Sequence, residues 1–116
     1  MNREEMLRRL QAGEDPLDLS IEKWQNIVDC VNRIRKAREF PEELEQGCGN
    51  CALCEAYLGC VDCPIRQRTK SISCLGTPYY RFRMAWHDGA IWTMRLAARE
   101  MLWFLKRLKD RQDGNR

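Results

Sequence analysis

The sequence predicts a small all-α domain, in which a cysteine-rich metal-binding loop lies between the N-terminal and the C-terminal packing helices. Three observations lead to this prediction. Apolar residues recur at helical spacing in both halves of the chain, no alternating β pattern of useful length is present, and six of the seven cysteines lie in one middle segment. With 116 residues, the chain has the length of one domain. We expect N-terminal helices over residues 1–40, the metal loop over residues 47–76 and a C-terminal helical segment over residues 77–111.

The N-terminal part begins with a short helix over residues 3–12, which Gly13 ends. The Asp15-Pro16 pair forbids a continuous helix across that point, because proline disfavours helical backbone in the residue before it. A second helix follows, with Ser20 as its expected N-cap and Pro41 as its end. An apolar stripe at helical spacing predicts its buried side: Ile21, Trp24, Ile27, Val28, Val31 and Ile34.

The C-terminal helical segment starts at Thr77-Pro78, with the threonine as N-cap and the proline at the first helical position. Gly89 leaves two alternatives open, one kinked helix or two helices. The apolar stripe of this segment consists of Ile91, Met94, Ala98, Met101, Leu105 and Leu108. We expect Trp92, Ala97, Trp103 and Phe104 to widen this stripe into the core, the alternative being that the broad face meets a partner helix.

The composition indicates a folded protein, with 44% hydrophobic and 32% charged residues. The charged start MNREEMLRRLQAGEDP lacks the apolar core of a signal peptide, and no apolar run approaches the roughly 20 residues that span a membrane. We therefore expect a cytoplasmic protein with no membrane partner, whose thiols are kept reduced. Reduced thiols and an odd number of cysteines both favour metal ligation over disulfides.

The cysteine spacing is typical of a metal site. It reads Cys48-x2-Cys51-x2-Cys54-x5-Cys60-x2-Cys63-Pro64, with Cys74 ten residues later. A C-x2-C step lets two sulfurs converge on one ion from a tight turn. The alternative, small buried thiols that pack as apolar residues, suits Cys30 beside the apolar stripe of the second helix.

Two metal centres fit this spacing. One Zn²⁺ ion would be satisfied by Cys51, Cys54, Cys60 and Cys63. One [4Fe–4S] cluster would take Cys48, Cys51, Cys54 and Cys63, since the order C-x2-C-x2-C followed by C-P is typical of cluster ligands. The order of the residues favours the cluster, with zinc as the alternative. The sole histidine, His87, is assigned to the helix surface or to packing.

The chain also resembles a known group of proteins. The order DPLDLSIEKW, NCALC, CVDCP, CLGTPY and a long amphipathic helix, over residues 13 to about 105, is similar to that of small uncharacterised cysteine-rich proteins of prokaryotes and their viruses. The resemblance implies a metal site and no particular activity. It implies five recurring cysteines, of which four would be ligands with Cys48 as a substitute: Cys51, Cys54, Cys60, Cys63 and Cys74.

Residues 63–87 carry five basic residues and no acidic one: Arg66, Arg68, Lys70, Arg81 and Arg83. Tyr79, Tyr80 and Phe82 lie among them, and cations with aromatic rings are the components of single-strand nucleic-acid binding. An acidic protein is the other partner that this charge would suit. The alternative is a solvated loop, with Tyr80 or Phe82 packed in the core.

Three functions follow from these features. The first is a binding or adaptor module, in which a metal centre shapes the loop and a basic surface meets nucleic acid or an acidic protein. The second is an iron–sulfur electron carrier or redox sensor. The third is an enzyme that uses a cluster or a thiolate such as Cys48 or Cys74. The sequence has no phosphate loop, dinucleotide fingerprint or paired acid–base motif, so the enzyme ranks last and no catalytic residue is assigned.

Overall fold

A computed structural model describes residues 3–41 and 77–114 of the chain. Their helices are α1 (Arg3–Gln11), α2 (Pro16–Arg33), a short 3-10 helix (Ala37–Glu39), α3 (Pro78–Asp88) and α4 (Ile91–Gly114). These two ranges contain no β-strand, so the predicted all-α class is confirmed. Residues 42–76, called the cysteine segment below, lie outside the described ranges together with the metal loop predicted for them.

The start of α2 corrects one prediction. Asp15 is the N-cap, since its Oδ1 accepts a hydrogen bond from the backbone N–H of Leu17 at 2.9 Å. Pro16 occupies the first helical turn, where a missing N–H is harmless and the fixed φ suits the helix. Ser20 therefore lies inside α2, and its buried hydroxyl has no hydrogen-bond partner among the residues that the structure describes. The Asp15-Pro16 pair, which is predicted to prevent a continuous helix, also begins α2.

The end of α2 corrects a second prediction. The helix stops at Arg33, not at Pro41, and Ile34 is already extended, with φ −81° and ψ 155°. Arg95 of α4 binds the chain at this point: its Nε donates to the carbonyl oxygen of Val31 at 2.8 Å and its Nη2 to that of Ile34 at 2.7 Å. A charged group from another helix thus satisfies carbonyls that the end of a helix leaves unpaired.

The start of α3 is as predicted. Thr77 Oγ1 accepts a hydrogen bond from the backbone N–H of Tyr79 at 3.2 Å, and Pro78 lies in the first turn. Gly89 ends α3 in the left-handed region, with φ 73°, which glycine adopts without steric cost. Because α4 begins two residues later, the C-terminal segment is two helices and not one kinked helix.

The core forms where α4 packs against both α2 and α3, which also meet each other through Trp24 and Phe82. The predicted stripes of α2 and α4 supply most of it, joined by Leu17, Ala37, Phe40, Phe82, Ala85, Ala97 and Leu102. A smaller cluster, in which Leu7 and Leu10 pack against the buried Met6 and Leu19, holds α1 on α2. The ion pair of Lys109 with Asp15, 2.5 Å from Nζ to Oδ2, joins the last turns of α4 to the start of α2.

The prediction that Trp92 and Trp103 widen the core is wrong. Trp92 is 77% exposed and Trp103 is 61% exposed. At 100° per residue, both lie about 150–170° around α4 from the centre of its buried stripe. Their rings therefore face away from α2 and α3, while Ala97 and Phe104 lie on or beside the core as predicted.

Candidate functional site

Most residues of the predicted sites belong to the cysteine segment and lie outside the described residues: Cys48, Cys51, Cys54, Cys60, Cys63, Cys74, Arg66, Arg68 and Lys70. The structure describes the base from which this segment leaves and to which it returns. It also describes Arg81 and Arg83 of the predicted basic surface, and Cys30.

Cys30 lies on α2, partly buried, and packs against the core. Burial raises the pKa of its thiol, and nearby Arg33 offsets only part of that shift. Because the thiolate is the form that binds metals, a thiol held in its neutral form is a poor ligand. The geometry agrees with its assignment as a packing residue. Within residues 3–41 and 77–114 there is no group of three or more His, Cys, Asp or Glu that could hold an ion.

Five aromatic residues hold both ends of the cysteine segment in one place. We call this cluster the aromatic anchor: Trp24, Phe40, Tyr79, Phe82 and Trp86. Phe40, next to the start of the segment, contacts Phe82 and Trp86 at centroid distances of 5.4 and 5.0 Å. Tyr79, just after its end, contacts Trp24 at 6.0 Å.

The anchor has favourable geometry. Four of its contacts are edge-to-face, with interplanar angles between 77° and 83°, the arrangement that ring quadrupoles prefer. Phe82 lies at its centre with no exposed surface. Bringing together the ends of a chain segment of about 35 residues costs about 3 kcal/mol in chain entropy. The helical base meets this cost through core packing, so a ligand within the segment need not meet it.

The described part of the predicted basic surface is largely engaged. The guanidinium of Arg81 forms an ion pair with Glu100 of α4. Arg83 lies over the ring of Trp86, with its guanidinium carbon 5.9 Å from the centroid. Phe82 is buried in the anchor, whereas Tyr80 is 49% exposed. Of the aromatic residues in this stretch, Tyr80 is thus the one with a ring open to a ligand, and Phe82 packs in the core.

The structure exposes a surface that the sequence places in the core, with a partner helix as the alternative. We call it the tryptophan–arginine face of α4; its exposed members are Trp92, Leu96, Arg99, Trp103, Lys106 and Arg107. Both rings carry a cation: Arg95 lies 4.7 Å from the centroid of Trp92, and Arg107 lies 4.7 Å from that of Trp103. The signal was present in the helical positions, because these residues recur every three or four places opposite the apolar stripe.

A shallow groove of about 180 Å³ continues this face toward the end of α4. Its lining combines apolar and cationic side chains: Trp103, Phe104, Arg107, Leu108 and Arg111. Arg99, Lys106 and Arg111 make no ion pair with any other described residue. The neighbouring Glu100 is neutralised by Arg81, so the face is cationic and open to solvent.

Comparisons of this chain with protein-family models, with curated proteins and with solved structures gave no match. Among the described helices, none combines the length and the apolar character needed to cross a bilayer.

Proposed function

We propose that this protein is a metal-binding adaptor, in which the cysteine segment holds one metal centre and a cationic surface binds nucleic acid or an acidic protein. The observation that carries the proposal is a run of closely spaced C-x2-C steps between two chain ends that meet at the aromatic anchor. Four ligands come from a set of five, with Cys48 as a possible substitute: Cys51, Cys54, Cys60, Cys63 and Cys74.

The donor set fits a thiolate-ligated centre. Four cysteine thiolates suit one [4Fe–4S] cluster, which the C-x2-C-x2-C and C-P order favours, or one Zn²⁺ ion. Bound there, the centre would cross-link the segment and, if it is a cluster, supply a one-electron couple. The helical base contributes fixed chain ends, which lowers the entropy that metal binding has to overcome.

Metal and sulfide analysis of the full chain, purified without oxygen, tests the metal centre. We expect iron with acid-labile sulfide and a brown colour, or one zinc per chain in colourless protein. Alkylation followed by mass spectrometry should find about four protected thiols that react only after chelation. Protein that holds no metal and exposes every thiol of the cysteine segment would refute the proposal.

Cysteine variants sharpen this test. Replacing Cys51 and Cys54 together by serine should strongly reduce metal binding, because two of the three C-x2-C steps of the sequence are then lost and Cys60-x2-Cys63 alone remains. The matched control is Cys30→Ser, which removes a thiol assigned to packing and should leave the metal content unchanged. Equal loss of metal in both variants would contradict the ligand assignment.

The binding function has its own test. Replacing Arg66, Arg68 and Lys70 together by glutamine should weaken salt-dependent binding to an oligonucleotide or to poly-glutamate. Arg81 is left unchanged, since removing it would leave Glu100 without its partner. Unchanged binding would remove the cysteine segment from the binding surface. A reversible one-electron couple in a protein that binds neither polyanion would favour the electron carrier instead.

A further inference from the structure

The tryptophan–arginine face of α4 has rings and cations in alternation along one line. Trp92 and Trp103 are separated by three helical turns, about 16 Å along the axis, and Arg99 lies between them on the same side. Lys106 and Arg107 continue the line in the next turn. A single nucleic-acid strand presents the complementary alternation of flat bases and phosphates, over a few nucleotides at this length.

Each ring has a guanidinium over it, and the guanidinium over Trp92 is held by the fold. Arg95 lies over Trp92 while its guanidinium donates to two backbone carbonyls at the C-terminal end of α2, those of Val31 and Ile34, so it is fixed by the fold. Arg107 lies over Trp103 at 4.7 Å, a cation–π contact between two exposed side chains on neighbouring turns of α4. A ring that is restrained yet mostly exposed offers a stacking platform with little entropy left to lose.

The charge of this face argues against a second copy of the chain as its occupant. An antiparallel pairing of two α4 helices would place Trp92 of one copy against Trp103 of the other. The same pairing brings Arg99 of one copy close to Arg95 and Arg99 of the other, and the adjacent acid, Glu100, is already paired with Arg81. Like charges buried face to face disfavour association, whereas an anionic partner is attracted.

We propose that the tryptophan–arginine face binds single-stranded nucleic acid, with bases stacked on Trp92 and Trp103 and phosphates near Arg99, Lys106 and Arg107. An acidic peptide would use the same cations, but flat groups do not recur along it at every unit, as bases do along a nucleic-acid strand. The inference names a surface and a partner class for the binding function proposed above. It does not depend on the metal centre.

The experiment measures binding of the full chain to a labelled oligothymidylate of about 15 nucleotides by fluorescence anisotropy. The informative variants are the double substitutions Trp92→Leu with Trp103→Leu, and Trp92→Phe with Trp103→Phe. Both pairs keep apolar side chains, but leucine cannot stack. We expect the leucine pair to bind at least about tenfold more weakly than the native protein, and the phenylalanine pair to lose much less.

Charge variants and salt give a second readout. Replacing Arg99 by glutamine should reduce the slope of log affinity against log salt by about 0.7. The control is Arg38→Gln, which removes an exposed cation from the 3-10 helix packed on α3 and should have no such effect. Thermal melts followed by circular dichroism check that every variant is folded.

Several outcomes would overturn the inference. Equal affinity of the leucine pair, the phenylalanine pair and the native protein would exclude stacking. Competition by poly-glutamate at the same charge concentration would assign the face to acidic peptides. A dimer that the leucine pair dissociates would assign it to self-association. Metal content is measured in the same samples. Normal metal content without oligonucleotide binding refutes this inference and leaves the metal centre standing. Oligonucleotide binding without metal supports this inference and refutes the metal centre.

Discussion

Phe82 is the side chain on which the aromatic anchor depends most, and its replacement gives the sharpest test of the fold. Its ring is fully buried and lies 5.2 Å from Trp24, 5.4 Å from Phe40 and 6.5 Å from Trp86, centroid to centroid. Phe82→Ala removes the ring and leaves a cavity, for which core substitutions of this kind cost about 3–5 kcal/mol. We expect a loss of about 4 kcal/mol, because rings on three sides limit how far the site can collapse.

Phe82→Leu separates the ring contacts from simple burial. Leucine keeps most of the apolar volume but loses two edge-to-face contacts, each worth about 0.5–1.5 kcal/mol beyond burial. The expected loss is therefore about 2 kcal/mol. Tyr80→Leu, on the same helix but 49% exposed, is the matched control and should change stability by less than about 0.5 kcal/mol.

Urea unfolding followed by far-ultraviolet circular dichroism measures these differences, and metal release to a competing chelator measures their effect on the cysteine segment. Because the anchor holds both ends of that segment, Phe82→Ala should release metal faster than the native protein does. A loss below about 1 kcal/mol for Phe82→Ala would refute the packing argument. If Phe82→Ala loses the expected stability but releases metal at the native rate, the anchor and the metal centre are independent.

Three further predictions concern backbone groups at helix ends. Arg95→Lys keeps the charge but not the forked donor, so it should lower the free energy of unfolding by about 1–2 kcal/mol in the same urea assay, and Arg95→Met by more. Asp15→Ala should cost about 1.5 kcal/mol through the lost N-cap and ion pair, whereas Asp15→Asn keeps the cap and should cost less than about 1 kcal/mol. Burial alone would raise the pKa of Asp15, but hydrogen bonds from Lys109 and the N–H of Leu17 outweigh it and lower the pKa. The stability that Asp15 contributes is therefore complete above its ordinary pKa of about 3.9 and is lost as the pH falls below it. The free energy of unfolding of Asp15→Asn should consequently fall less with decreasing pH than that of the native protein. Gly89→Ala should cost about 1–2 kcal/mol through its left-handed backbone alone, since an added Cβ meets nothing within 4 Å; no loss on thermal melting would contradict that conformation.

Local rules on the sequence predicted much of the helical fold. The Thr77-Pro78 start, the turn at Gly13 and the apolar stripes of α2 and α4 are confirmed because each depends on a few neighbouring residues. The predicted N-cap at Ser20 is wrong because the Asp15-Pro16 pair begins a helix as well as ending one, since proline is favoured in a first helical turn. The early end of α2 could not be predicted, since Arg95 reaches it from more than 60 residues away in the chain.

The candidate sites were predictable to different degrees. The ligand set stays a prediction, because the cysteines that carry it lie outside the described residues. The aromatic anchor was not predicted, since it joins Phe40 to residues that follow the cysteine segment. The sequence prediction counts Trp92 and Trp103 with the broad apolar face of the last helix, and such a face is most often core. Their positions around the helix already placed them opposite the stripe, and position predicts burial better than residue type does here.

The two exposed tryptophans contribute little to the fold that contains them. Tryptophan is a poorer helix former than alanine or leucine, and rings that are 77% and 61% exposed bury little surface. What each ring gains from its arginine is about 0.5–1 kcal/mol at an exposed site. Replacing either ring by leucine should therefore change the free energy of unfolding by less than about 1 kcal/mol. If the rings act in binding, oligonucleotide affinity must fall far more than stability does, because stacking is the contribution that only the rings supply. A stability loss as large as the affinity loss would instead assign both tryptophans to the fold.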